Sequence, residues 1–213
     1  MSTVLYYIHD PMCSWCWGFR PVWQTIKNSL PADISIKSVL GGLAPDSDEP
    51  MPKEVQQYVQ ANWRRIEQAI PGTQFNDDFW QQCKPRRSTY PACRAVLAAK
   101  KQGIECEEPM IEAIQHAYYL NAQNPSDDEV LIQLAGSIQL DVIAFTQQLN
   151  SADTQKQLMQ NLEIYEQLSS ASGASGFPSL VLQLNDSYKA IPRDYTNPQT
   201  TLLYIQQHMQ SSD

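Results

Sequence analysis

Cys13 and Cys16 stand three residues apart in Cys13-Ser14-Trp15-Cys16, directly after a short apolar run and directly before a stretch of helical period. Two cysteines at that spacing can close a small disulfide and reopen it as a thiolate and a thiol, which is two-electron redox chemistry. The first lies where a helix is expected to begin, and the unpaired backbone N–H groups and positive dipole end found there favour a thiolate. Cys13 is therefore expected to be the exposed nucleophile, and Cys16, one turn further in, the shielded resolving thiol.

Other side chains in the neighbourhood are candidates for supporting roles. His9, at the end of the apolar run, is a candidate stabiliser of the Cys13 thiolate. Asp10 is a candidate relay for the Cys16 proton, although a carboxylate close to Cys13 opposes thiolate formation; its plainer reading is a turn-former before Pro11. Trp15, flanked by the cysteines, is the aromatic expected to face a substrate. A lone C-x-x-C is also half a zinc site, but Cys83, Cys93 and Cys106 are not spaced as a second chelating pair, so no metal is expected. Those three read as small buried hydrophobes. Arg64-Arg65 and Arg86-Arg87 read as solvated faces, able at most to meet an acidic ligand.

The elements that must position the cysteines follow from periodicity. Val4 to Ile8 is an apolar run ended by Asp10-Pro11 and reads as a buried strand; a helix follows from Cys13 or Ser14 to about Ser29, with Phe19, Val22, Trp23 and Ile26 on one face. Ile34 to Leu40 reads as a second strand that leaves through Gly41-Gly42 into a Pro-rich loop. From Lys53 to about Ser169 nearly everything has helical period, beginning with a stripe of Val55, Tyr58, Val59, Asn62, Trp63 and Ile66. Helical signals follow near 77–83, over 91–102 with Ser88 and Thr89 as cap candidates, and over 109–120. A Ser126/Glu129 capping box opens the segment to Ser137, Asp141 caps a helix to Leu149, and Asp153 caps one towards Leu168. Ser169 to Gly176 reads as a linker. Strands over 179–184 and 188–191 and a helix over 200–208 complete the chain. A right-handed crossover makes the first two strands parallel neighbours and the last two a hairpin. The order is that of an α/β thioredoxin fold with an inserted all-α domain: 1–48 and 170–213 form the thioredoxin-like part, and 49–169 the insertion.

With 213 residues, 42% of them hydrophobic, the chain can bury a substantial core. Its net charge of −8 argues against nucleic acid or an anionic membrane as partner. The N-terminal residues show no basic stretch, apolar core and small-residue cleavage site, so a cytoplasmic location is expected. Five cysteines cannot all pair within one chain.

The segment Asp10-Pro11-Met12-Cys13-Ser14-Trp15-Cys16-Trp17-Gly18-Phe19 resembles the active-site stretch of the FrnE-like group in the broad DsbA family, which also includes the 2-hydroxychromene-2-carboxylate isomerases. Gly176-Phe177-Pro178 is similar to that family's cis-proline loop. The resemblance implies that Cys13 attacks and Cys16 resolves. It also implies that Phe177 offers its backbone to a bound peptide, with Pro178 in cis beside the Cys13 sulfur. Ser88-Thr89-Tyr90-Pro91-Ala92-Cys93-Arg94 looks like the start of the family's helix facing the active site, which would bring Cys93 within reach of substrate.

The chemistry so implied is cytoplasmic thiol–disulfide exchange with peptide or protein thiols and disulfides, with no cofactor beyond glutathione as a co-substrate. Two alternatives belong to the same resemblance: a non-enzymatic adaptor of DsbA-like fold, and a glutathione-dependent isomerase. The isomerase branch typically has a serine where Cys13 stands. Ser14-Trp15 replaces the Pro-His of the periplasmic enzymes, which removes one source of thiolate stabilisation and argues against a strongly oxidising role.

Overall fold

The computed structural model describes residues 3–210. Within them the chain divides into two units, each described by itself. One takes in the chain up to His9, Trp15–Gly41 and the chain from Asn161 onward; the other takes in Asp10–Ser14 and Gly42–Gln160.

The first unit is built on a four-stranded sheet. Its strands are β1 (Thr3–His9), β2 (Ile34–Leu40), β3 (Ser179–Leu184) and β4 (Ser187–Ile191), in the spatial order β2-β1-β3-β4. β1 runs parallel to β2, as a crossover through helix α1 (Ser14–Ser29) requires, and β3 is antiparallel to both β1 and β4. Because β1 is central, it is buried on both faces, and its side chains sort by the two-residue strand period. Leu5 and Tyr7 enter a core with Phe19, Trp23 and Ile26 of α1, Leu182, and Leu202 and Ile205 of the last helix, α9 (Pro198–Gln210). Ile8 enters the opposite cluster with Val39, Val181, Leu168 and Ala174, and Tyr6 packs against it. The apolar spacing of α1 read from the sequence is thus the face laid on the sheet.

The second unit is helical: α2 (Lys53–Ala69), α3 (Phe79–Gln82), α4 (Tyr90–Lys100), a 3-10 turn at Ile104–Cys106, α5 (Glu107–Tyr119), α6 (Asp128–Ser137) and α7 (Val142–Leu149). Helix α8 (Ala152–Ser172) begins in this unit and ends in the first. α4 is buried from Pro91 through Ala99, as expected of a helix that is apolar nearly all round. Around Trp63 of α2 gather the rings of Phe75, Phe79, Trp80, Tyr118 and Tyr119.

The two compact units part at 9/10, 14/15, 41/42 and 160/161. In the first unit, the Asn161 side chain of α8 accepts from Leu40 N–H, and Leu168 enters the sheet cluster. Several local expectations are corrected. Helix α8 runs to Ser172, through half of the expected linker. Ser126 does not cap α6: its hydroxyl donates to Ser88 C=O, and Asp127 holds the cap position. Asp141 caps α7 as expected, accepting from Ile143 and Ala144 N–H. For α8 the cap is Ser151, whose hydroxyl accepts from Thr154 N–H, rather than Asp153. Tyr58 of the α2 stripe is 65% exposed. Arg86 is only partly exposed: it pairs with Asp127 at 2.7 Å and donates to Ser126 C=O.

Candidate functional site

Cys13 sits one residue before α1, and Cys16 lies on its first turn. No disulfide joins them. Cys16 is fully buried, as expected, but Cys13 is only 5% exposed, less open than a helix N-terminus suggested.

The turn that delivers Cys13 is made by Asp10. Its side chain accepts from Met12 N–H at 2.8 Å, and its backbone carbonyl accepts from Cys13 N–H at 3.0 Å. This is the local habit of aspartate before a helix. The carboxylate does more than form a turn. It is fully buried and also accepts from Leu43 N–H at 2.7 Å, Thr89 Oγ1 at 2.6 Å and Cys93 Sγ at 3.6 Å. Burial pushes this carboxyl above its ordinary range, opposed by donation from Thr89, Leu43, Met12 and Cys93.

Cys93, the accessory candidate, faces the Asp10 carboxylate. It is fully buried and donates to Asp10; burial first, and then the neighbouring carboxylate, push its thiol well above the ordinary cysteine range. A thiol so held is protonated and shielded. Thr89 does not cap α4 with its side chain, because its hydroxyl is directed to Asp10. Cys83 and Cys106 are half-buried rather than buried, and Cys83 donates to Ala122 C=O at 3.0 Å.

In the first unit, the ladder between β1 and β3 pairs Ile8 with Ser179, so Phe177 and Pro178 open β3 at the end of the sheet where β1 finishes. The Phe177–Pro178 peptide bond is cis, and Pro178 is buried. The Phe177 ring stands 5.0 Å from that of Tyr165 and lies directly over Gly41, where a Cβ would be 2.0 Å from Cε1. The sequence marked Gly41 only as the end of a strand. His9 lies on the α1 face of the sheet, its ring stacked 4.7 Å from Tyr7 and its Nε2 2.9 Å from Ser38 Oγ. Trp15 is half-buried, its ring edge-on to Tyr195 at 5.1 Å. The arrangement is therefore a dithiol at the head of the helix that follows a central strand, with a cis-proline opening the neighbouring antiparallel strand.

That combination is the DsbA-like variant of the thioredoxin fold, the architecture of thiol–disulfide oxidoreductases. The chain belongs to the thioredoxin family, whose profile, described as Thioredoxin, matches residues 6–190. Among solved structures it is similar to a candidate protein disulfide isomerase from Nitrosomonas europaea, with a TM-score of 0.85 and 26% identity over 100% of both chains. It also resembles the cytosolic disulfide reductase DsbM from Pseudomonas aeruginosa, with a TM-score of 0.79 and 22% identity over 97% of this chain and 98% of that one. DsbM has also been solved with GSH. Among curated proteins, the ClpXP adapter protein SpxH of Bacillus subtilis (strain 168) is 25% identical over 162 residues, 75% of this chain and 52% of that protein. The chain spans about half the length of the curated relatives it matches. No helix among the described residues is long and apolar enough to cross a membrane.

Proposed function

We propose that the protein is a cytoplasmic thiol–disulfide oxidoreductase that works through Cys13 and Cys16 on peptide or protein disulfides, with glutathione as the small thiol that restores it. The observation that supports this reading is the placement of Cys13 at the mouth of α1 with Cys16 on its first turn. The Cys13 thiolate attacks one sulfur of a substrate disulfide; a mixed disulfide forms and the other substrate sulfur leaves as a thiolate. Cys16 then loses its proton and attacks the Cys13 sulfur, closing the Cys13–Cys16 disulfide and releasing the second substrate thiolate. The two protons given up by the dithiol go to the two substrate sulfurs, and two electrons pass with them. Two glutathione thiols reverse the change at the protein and leave as glutathione disulfide. Trp15, Phe177 and Pro178 are assigned to substrate contact, with the Phe177 backbone as the edge for an extended peptide.

The test is a brief iodoacetamide pulse near neutral pH with mass mapping, followed by Cys16→Ser in cell extract. Selective labelling of Cys13 and accumulation of mixed disulfides on it are expected, because the resolving attack is missing. Equal labelling of both cysteines, or no adducts alongside isomerisation of a chromene-type substrate by the pure wild type, refutes the reading. The matches to SpxH favour a second reading, an adaptor that delivers a protein partner. It predicts a partner bound equally well by wild type and Cys13→Ser.

A further inference from the structure

Among the buried groups that the exchange scheme leaves unused, Asp10, Thr89 and Cys93 form one cluster. Asp10 is fully buried, with all four of its side-chain partners donating: two backbone amides, one hydroxyl and one thiol. A carboxylate without water is tolerated only where donors replace it, and this set is assembled from three separate segments. Met12 belongs to the turn before Cys13, Leu43 to the loop after β2, and Thr89 and Cys93 to the start of α4. Thr89 is itself fixed, since its hydroxyl oxygen accepts from Ala44 N–H at 3.1 Å and its backbone N–H donates to Ala44 C=O at 3.0 Å. A residue needed only for the turn would require the Met12 bond and nothing from α4.

We infer that Asp10 is a positioning residue for the dithiol: braced by Thr89 and Cys93, it fixes the turn from which Cys13 enters α1 and holds an acceptor charge within that turn. The inference rests on the oxidoreductase reading above. Its consequence concerns the balance between dithiol and disulfide. Closing the Cys13–Cys16 ring needs the Cys13 turn held in place, so loosening it disfavours the disulfide. Removing the charge relieves repulsion on a Cys13 thiolate and so favours the reduced form. Both effects act in one direction. Cys93 is on this account a thiol donor to Asp10 and takes no part in exchange.

The experiment measures the equilibrium in which the protein dithiol reduces glutathione disulfide to two glutathione thiols as the Cys13–Cys16 bond forms. Wild type, Asp10→Asn, Thr89→Val and Thr89→Ser are compared, each with its Tm. Asp10→Asn is expected to shift the constant toward the dithiol by roughly threefold to tenfold, the worth of one buried hydrogen bond. Thr89→Val, which keeps the shape and removes the donor, should shift it the same way by less. Thr89→Ser, which restores the hydroxyl, should return it toward wild type. If Asp10→Asn and Thr89→Val lower Tm but leave the constant within about twofold of wild type, the positioning role is overturned and the cluster is only structural. If Asp10→Asn does not fold, Thr89→Val decides by the same criterion. A wild type that closes no Cys13–Cys16 disulfide at any glutathione ratio overturns the oxidoreductase reading itself, and the inference with it.

Discussion

Gly41 is where a single added methyl meets the most resistance. Its Cβ would stand 2.0, 2.4 and 2.9 Å from Cε1, Cζ and Cδ1 of Phe177. To restore an ordinary carbon–carbon separation of about 3.5 Å, the ring must retreat by roughly 1.5 Å. Tyr165 already packs against that ring, and Gly41 N–H is bonded to His9 C=O at 2.7 Å, so neither side yields without loss. Overpacking of this kind costs about 1–3 kcal/mol, which for a chain of this size lowers Tm by roughly 2–12 °C. Phe177→Ala alone gives up a half-buried ring, about 1–2 kcal/mol. In the double variant the ring that the added methyl would strike is gone, so its cost should be no greater than that of Phe177→Ala. Calorimetric Tm and urea unfolding of the four proteins measure the coupling. If Gly41→Ala leaves stability unchanged, or the two costs add within about 0.5 kcal/mol, the packing of Phe177 on Gly41 is not what fixes this loop.

Two further outcomes follow from charged groups. Arg94 is buried and bonded bidentately to Asp46 at 2.8 and 2.9 Å, with Asn150 and Gln155 side-chain oxygens also accepting from it; Arg94→Lys keeps the charge, loses the fork, and should cost roughly 1–2 kcal/mol in urea unfolding. Asp194 accepts from Thr196 and Asn197 N–H ahead of α9, and these bonds hold its carboxyl below the ordinary range. A lowered folded-state pKa means the contribution is present above the unfolded-state value and is lost as pH falls through the folded one. Asp194→Ala should therefore lower Tm near neutral pH, with the gap to wild type closing below about pH 4.

What could be read from the sequence was whatever depends on neighbours along the chain. The strand–dithiol–helix order, the parallel and hairpin pairings, and the Asp141 cap follow from periodicity and short spacings, and the structure shows each of them. What escaped depends on distant partners. Ser126 and Glu129 match a capping box, yet Ser88 offers the Ser126 hydroxyl a carbonyl 38 positions away. Thr89 looks like a cap until Asp10 arrives from 79 positions away. Ser169 to Ser172 have linker composition but stay helical, with Ser172 Oγ donating back to Leu168 C=O and Leu168 anchored in the sheet cluster. Within the candidate site, the cysteines and Pro178 were visible as local patterns, whereas the acceptor role of Asp10 and the seat that Gly41 gives Phe177 were not. A glycine ending a strand carries no mark of the ring that will cover it.

The register of the sheet also sets a schedule. β1 can pair with β2 as soon as α1 has formed, but its other edge waits for β3, which joins Thr3 to Leu184 and Ile8 to Ser179 across the whole helical stretch. At ordinary elongation speeds that stretch takes on the order of ten seconds to synthesise. During this time a nascent chain carries an open central strand and, just beyond it, two cysteines whose sheet is unfinished. An unpaired strand edge invites association, and exposed thiols invite pairing with the wrong sulfur. The surroundings in which the chain is made therefore bear on the dithiol before the fold exists to shield it: refolding or synthesis under oxidising conditions should yield crossed disulfides among the five cysteines, and reducing conditions should prevent them.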